Sequence, residues 1–312
     1  MIADFFVGLE AFISATIRMA IPLALAGLGE TYSEKSGILN IGLEGIMLCG
    51  AFFSFIVAFL TNSLAMGITA GILGGMIISS IHSFISIKYK ADQTITGLAL
   101  NFFVAGLTSY LFLLFFGKST NLPECLMVPV INIPFLWKIP FFGPVLFQQD
   151  GYVYFTLFAV IITWILFYRT EWGVNLHAVG ESPKAADSVG LNVIRIRYIS
   201  AMVNGFFGGL AGSYLTLALL GFFMENITSG RGYIALVVVI LGRRNPLGVL
   251  LASLLIGSAN ALQFQIQVKG LAVPSQVFIM FPYIITVVVL LFSIGKSHDP
   301  SSLGIPFTRS KR

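Results

Sequence analysis

The chain has 312 residues, of which 57% are hydrophobic and 10% are charged, and its net charge is +5. Soluble globular domains carry about 25% charged residues, so this composition excludes a water-soluble domain and predicts an integral membrane protein. The positive charge does not indicate nucleic-acid binding, because helical membrane proteins keep Lys and Arg on their cytoplasmic side. We expect residues 1–312 to form a single transmembrane domain in contact with membrane lipid.

Apolar stretches recur along the chain, and most approach the ~20 residues that a helix needs to cross a bilayer. They predict an all-α, polytopic transmembrane helical bundle with about nine crossings, within a range of about eight to ten. Glu10 and Arg18 interrupt the first stretch, so a broken or additional helix there is an alternative. The seventh is short and is expected to begin earlier, near Thr228. The stretches are residues 5–28, 41–60, 64–87, 95–116, 152–168, 198–220, 232–242, 247–263 and 275–294.

The basic residues give these helices an orientation. With the polar loop 169–197 in the cytoplasm, thirteen of the 18 Lys and Arg residues lie on the cytoplasmic side and four lie outside. Arg18 falls within the first stretch. Because cytoplasmic loops of membrane proteins are enriched in Lys and Arg, the N-terminus is predicted outside and the tail 295–312 in the cytoplasm.

The connection after the first stretch is polar and runs from Gly29 to Gly45, with Asn40 and Glu44 inside it. One interpretation is a cytoplasmic turn in which Asn40 caps the second helix. The other is a broken helix inside the bilayer, where irregular backbone is tolerated only beside protein or water. A lone carboxylate in an apolar run is a functional candidate. Glu44 is therefore predicted to face the pore or a buried polar partner, on one helix face with Asn40.

Small and polar residues indicate how the other helices contact each other. The third and sixth stretches carry glycines at the small-xxx-small spacing that allows close helix packing. The amides of Asn101, Asn204 and Asn260 are expected to form hydrogen bonds between helices or to line a pore for a polar, neutral solute. The glycines are Gly71, Gly74 and Gly75 in the third stretch and Gly205, Gly208, Gly209 and Gly212 in the sixth.

The predicted outer loop, residues 117–151, contains five prolines. A helix through so many prolines would lose backbone hydrogen bonds, so we expect no transmembrane span there. The loop also carries apolar stretches such as 133–137, which are expected to lie on the membrane surface or to cover the pore mouth.

The sequence gives no sign of catalysis or metal binding. The histidines, His82, His177 and His298, share no ligand spacing with each other or with Cys49 and Cys125. No nucleophile motif occurs, and no Lys-Ser or Lys-Thr follows the glycines of the third and sixth stretches, as a phosphate loop requires. We therefore expect no catalytic residue, no metal site and no cofactor bound by this chain, and we do not expect an enzyme.

The polar loop 169–197 is expected to contain one short helix. Ser182 suits its N-cap, Pro183 its first position and Gly190 its end. A helix of about two turns is marginal alone in water, so its small apolar face is expected to dock on a separate protein. The membrane helices are not expected to depend on this loop. The residues between Pro183 and Gly190 are Lys184, Ala185, Ala186, Asp187, Ser188 and Val189.

Three separated motifs resemble one family of transport proteins. Residues 173–193, GVNLHAVGESPKAADSVGLNV, resemble the cytoplasmic coupling segment of bacterial ABC importer permeases of the ribose and branched-chain amino acid type. Residues 36–45, SGILNIGLEG, and 229–248, SGRGYIALVVVILGRRNPLG, look like the subgroup for nucleoside (simple sugar) uptake.

That resemblance implies several partners and a location. An ABC ATPase subunit would bind ATP and Mg and would contact the helix that begins after Ser182. A second related permease would complete a heterodimeric pore, and an extracytoplasmic solute-binding lipoprotein would deliver the solute. The complex would lie in the bacterial cytoplasmic (inner) membrane.

An ion-coupled secondary transporter or channel for a small polar solute is the alternative function. It requires intramembrane carboxylates or unwound helices in matched halves, and the sequence shows no convincing internal repeat. A membrane-embedded enzyme requires a cluster of His, Asp or Cys at one membrane face, which the sequence lacks. We therefore favour the permease subunit of an ATP-driven importer, with nucleosides as the expected solutes.

Overall fold

The computed structural model describes residues 2–117, 123–268, 280–281, 283–288, 291 and 299–308. Within these ranges the chain is mostly helical, and its only sheet is an antiparallel pair of three-residue strands, β1 (Val130–Asn132) and β2 (Gln148–Asp150). The helices are α1 (Ile2–Lys35), α2 (Leu43–Thr61), α3 (Leu64–Lys88), α4 (Gln93–Phe116), α5 (Gly151–Arg169), α6 (Glu171–Glu181), α7 (Pro183–Ser188), α8 (Val193–Tyr214), α9 (Arg231–Leu241) and α10 (Pro246–Val268).

Seven of the described helices are long and apolar enough to cross a membrane, namely α1, α2, α3, α4, α5, α8 and α10. The predicted all-α, polytopic bundle is therefore confirmed. α9 is apolar but has only 11 residues. The ninth predicted stretch, 275–294, lies mostly outside the described residues, so the number of crossings stays a prediction.

α1 is one continuous helix of 34 residues, so the alternative of a break within the first stretch is wrong. At 1.5 Å per residue it is about 51 Å long, whereas the hydrocarbon core of a bilayer is about 30 Å thick. Residues 20–34 are all buried by the surrounding helices, whereas residues 7–15 are half-buried or exposed. α1 is therefore longer than a span needs, and part of it can lie outside the hydrocarbon core.

α2, α3 and α8 pack against each other at glycines. A Cβ atom on Gly75 of α3 would lie 2.5 Å from the Gly205 carbonyl oxygen and 2.6 Å from the Gly209 Cα. A Cβ atom on Gly50 of α2 would lie 2.5 Å from the Gly209 carbonyl oxygen. Atoms at these distances overlap, so only glycine fits, and the predicted close helix packing is confirmed.

The proline-rich loop between α4 and α5 bonds the residues that follow α8. The Cys125 and Val128 amides donate to the carbonyl oxygens of Gly221 and Leu217, each at 2.8 Å. In the described part of this loop the longest helical piece has five residues, so no span passes through it. Phe135 is 88% exposed and is available to the membrane surface or to a neighbouring protein.

Replacing Gly75 with Ala is expected to destabilise the bundle, because the new Cβ meets backbone atoms of α8 that no side-chain rotation can move. Overpacking of this kind costs about 1–3 kcal/mol. The matched control is Gly106→Ala on α4, where a Cβ would have no atom within 4 Å. The measurement is the Tm of each variant in detergent, and an unchanged Tm for Gly75→Ala would contradict the close contact.

Candidate functional site

The chain leaves α1 at Lys35 and does not enter α2 until Leu43. The connecting residues 36–42, called the break below, are buried or half-buried, so they do not form an exposed cytoplasmic turn. Buried backbone amides need partners. The Leu39 amide donates to the Gln93 Oε1 at 2.8 Å, and the Asn40 amide donates to the Glu30 Oε1 at 2.9 Å. Side chains of α1 and α4 thus replace water around the break.

Asn40 lies inside the break and does not cap α2. The N-cap is Gly42, whose amide donates to Asn40 Oδ1 at 3.0 Å. The predicted cap is therefore wrong, and Asn40 shares no helix face with Glu44 because it is not helical. The Asn40 Nδ2 donates to Asn204 Oδ1 at 3.5 Å, and the Asn204 Nδ2 donates to Glu30 Oε2. These side chains join α1, the break and α8.

Glu44 lies in the first turn of α2 and is 7% exposed. Its Oε1 accepts hydrogen bonds from Thr228 Oγ1 at 2.5 Å and from the Gly230 amide at 2.8 Å. Its Oε2 accepts from the Gly232 amide at 2.6 Å. Both amides belong to the N-terminal end of α9, where unpaired N–H groups and the helix dipole favour a negative charge. This is the buried polar partner expected for Glu44.

The contact with Glu44 places the start of α9 inside the bundle. A helix of 11 residues is about 16 Å long, roughly half of a hydrocarbon core of about 30 Å. The helix begins at Arg231 and not near Thr228, and Thr228 is buried. Beyond its other end, buried Arg244 forms an ion pair with Glu34 of α1.

Asn101 connects α4 to the same region. Its Oδ1 accepts a hydrogen bond from the Gly45 amide at 2.7 Å. Its Nδ2 donates to the Ile41 carbonyl oxygen and to the Tyr233 hydroxyl, both at 2.9 Å. Asn101 therefore holds the break, α2 and α9 together. Hydrogen bonding between helices was one of the two roles expected for it.

Asn260 lies apart from this group, on α10. Its Nδ2 donates to the Ile256 carbonyl oxygen of the same helix at 3.1 Å. Its side chain also lines a cavity of about 180 Å³ together with Arg231, Gln263 and Tyr283. A role for Asn260 in the pore stays a prediction.

The loop 169–197 contains two helices, whereas the sequence analysis predicted one. α6 begins after Thr170, whose Oγ1 accepts a hydrogen bond from the Gly173 amide at 3.3 Å. A threonine followed by the acidic Glu171 is the signal that could have revealed it. α7 follows as predicted, although the Ser182 side chain forms no capping hydrogen bond. Gly190 has φ of +92°, which suits glycine at the end of the helix.

The small apolar face of α7 is already covered by this chain. Ala186 is 3% exposed and packs with Val179 of α6 and Val193 of α8. The expectation that a partner must bury this face is therefore wrong. The expectation that the membrane helices do not depend on this loop stays a prediction. The opposite face remains open and includes Val189, which is 77% exposed. The other exposed residues of this face are Lys184, Ala185 and Ser188.

His177 of α6 lies beside the rings of Phe167 and Tyr168. Burial, together with the positive charge of nearby Lys35, lowers the pKa of His177 to about 4. Its imidazole is therefore neutral near pH 7 and does not act as a pH switch there.

Comparison with known proteins gives the family of the chain. The family model described as branched-chain amino acid transport system / permease component matches residues 12–290. The chain belongs to this permease family. It is 35% identical to the guanosine ABC transporter permease protein NupQ of Bacillus subtilis, over 97% of this chain and 98% of that protein. It is 32% identical to the nucleoside ABC transporter permease protein NupC of Lactococcus lactis, with the same coverage.

A solved structure shares the fold. It is a metal-chelate type ABC transporter in an inward-facing conformation, with a TM-score of 0.52 and 16% sequence identity, and the match covers 90% of this chain and 85% of that one. Together with the family, this confirms a permease component of an ABC transporter, which is a transport subunit and not an enzyme. The alternative of an ion-coupled transporter or channel gains no support. Among the described residues, no group of three or more His, Cys, Asp or Glu could hold a metal ion.

Glu44→Leu is expected to lower both stability and uptake strongly, because three donors at the start of α9 lose their acceptor. Each buried unsatisfied donor costs about 1–3 kcal/mol. Glu44→Gln keeps one acceptor oxygen, so the protein is expected to fold but to transport poorly. The control is Glu225→Gln, which changes an exposed carboxylate before α9. Wild-type Tm and uptake in both Glu44 variants would show that this contact is dispensable.

Proposed function

We propose that this chain is a permease subunit of an ATP-driven nucleoside importer in a bacterial cytoplasmic (inner) membrane, with its C-terminus in the cytoplasm. The observation that carries the proposal is the similarity to NupQ, 35% identical over 97% of this chain. The polar cavity beside Asn260 suits a polar, neutral solute such as a nucleoside. The excess of basic residues on one side supports the orientation.

The first partner is an ABC ATPase, which binds ATP and Mg, because this chain carries no phosphate-loop motif. Its contact surface is the open face of α7, centred on Val189. An ATPase must move the permease through a rigid contact. α7 provides one, because Ala186 anchors it to α6 and α8.

The other proposed partners are a second, related permease and an extracytoplasmic solute-binding lipoprotein. α3 and α4 expose large apolar side chains, including Leu73 at 58%, Phe102 at 76% and Phe103 at 56%. Apolar faces of this size suit lipid and the second permease of a heterodimer. The described part of the outer loop, with Phe135 exposed, offers a surface to the binding protein.

Uptake by the complete complex tests the proposed solute. Cells that express this chain with its ATPase and binding protein are expected to accumulate radiolabelled guanosine, and excess unlabelled uridine should compete. Excess glucose or leucine should not compete. A Walker-lysine variant of the ATPase is the control for ATP dependence. Uptake that survives in this control, or that glucose or leucine abolishes, would contradict the proposal.

Val189→Asp is expected to prevent copurification of the ATPase and to abolish uptake, because a charge replaces an apolar side chain at the centre of the contact surface. Membrane levels should stay normal, since Val189 is exposed. The matched control is Val7→Asp at the start of α1, where the valine is 66% exposed on the predicted outer side. Normal ATPase binding by Val189→Asp would place the contact elsewhere on the cytoplasmic surface.

A further inference from the structure

Residues 299–305, called the strap below, lie between α6 and the break. We call α6 and α7 together the coupling helices. The Ser302 amide and its Oγ donate to the Gly180 carbonyl oxygen at 3.0 and 2.5 Å, near the end of α6. The Gly304 amide donates to the Gly37 carbonyl oxygen at 3.1 Å. The strap therefore bonds α6 on one side and the break on the other.

Arg197 of α8 holds this arrangement together. The residue is 2% exposed, and its Nε donates to the Ser36 carbonyl oxygen at 3.1 Å. Its Nη1 donates to the Ile305 carbonyl oxygen at 3.1 Å, and its Nη2 lies 3.5 Å from Ser302 Oγ. One planar guanidinium thus reaches both the break and the strap, which the single ammonium of a lysine would not reproduce.

The contact between the strap and the break is close-packed. Gly37 has φ of +86°, and a Cβ there would lie 2.7 Å from Ser302 Oγ and 2.8 Å from Arg197 Nη2. The interface therefore leaves no room for the strap to slide past the break without breaking the hydrogen bonds between them.

The beginning of the strap is tied to α9. Asp299 Oδ1 accepts a hydrogen bond from Arg244 Nη1 at 2.6 Å, and the Arg244 Nε also donates to Glu34 of α1. Arg244 lies in the turn after α9. α9 is therefore held at its first turn by Glu44 and beyond its last turn by an arginine that also binds the strap.

We propose that the strap and Arg197 position the coupling helices on the break, so that a displacement of α6 and α7 is carried to the starts of α2 and α9. This inference rests on the proposed function, because it needs an ATPase that moves α7. The path has few steps. Gly180 contacts Ser302, the strap contacts Gly37 directly and Ser36 through Arg197, and the break leads into Glu44.

Arg197→Met in the complete complex tests this role. We expect ATP hydrolysis to persist while the solute taken up per ATP hydrolysed falls about tenfold, because a buried hydrogen bond to a charged group shifts a two-state equilibrium by roughly that factor. Arg197→Lys, which keeps the charge and one donor group, should restore part of the ratio. Arg195→Met, which changes an exposed arginine of the same helix, is the matched control.

A second variant and a second readout keep the test independent of protein yield and of the solute. Ser302→Ala removes the hydroxyl bonds of the strap but leaves Arg197 in place, so its ratio of uptake to hydrolysis should also fall. Hydrogen–deuterium exchange of residues 36–42 should respond to ATP in the wild-type complex and in Arg195→Met. The response should be lost in Arg197→Met.

The outcomes separate this inference from the proposed function. An unchanged ratio and an unchanged exchange response in both Arg197→Met and Ser302→Ala would overturn the role of the strap. So would a loss of uptake and hydrolysis in equal proportion, since that indicates damage to the fold alone. An ATP-dependent exchange response in the wild type without nucleoside uptake would reject the solute but keep the strap.

Discussion

The pairing of a buried carboxylate with the start of a short helix is the interaction on which the interior of the helical bundle depends. Glu44 is almost fully buried, and a charge in that position is tolerated only when hydrogen bonds replace its water. The N–H groups of α9 supply those bonds, and the carboxylate satisfies donors that have no partner in their own helix. Neither helix start is therefore stable at this depth without the other.

A set of amides extends the same principle to the irregular backbone around these helix starts. Asn40, Asn101 and Asn204 each bond a neighbouring segment, and Glu30 accepts from both the break and α8. In a bilayer, non-helical backbone survives only when protein groups take the place of water. These polar side chains are consequently structural supports for a discontinuity, which is where a transporter can change conformation without unfolding a whole helix.

Hydropathy was sufficient to predict the long helices, glycine spacing predicted that α3 and α8 pack closely against other helices, and Ser182, Pro183 and Gly190 predicted the position of α7. They could not give the depth at which α9 begins, because that depth is set by bonds from Glu44 to residues about 185 positions later. The burial of Ala186 was missed because it packs against α6, and the sequence of α6 mixes polar and apolar residues without a clear apolar stretch. The strap was missed because most of its bonds to other segments involve backbone groups, which every sequence possesses.

The position of the strap has a consequence for the order in which the protein matures during synthesis. Gly37 and Gly180 leave the ribosome long before Ser302. Their carbonyl oxygens nevertheless accept hydrogen bonds from the amides of the strap. The membrane helices up to α10 can therefore insert before the strap is available to bond α6 and the break. A chain that stalls before residue 299 would carry an otherwise buried arginine at residue 197 that lacks its bonds to Ser302 and Ile305. Residues 299–305 must therefore be synthesised before α6 and α7 are fully held in the positions seen in the structure.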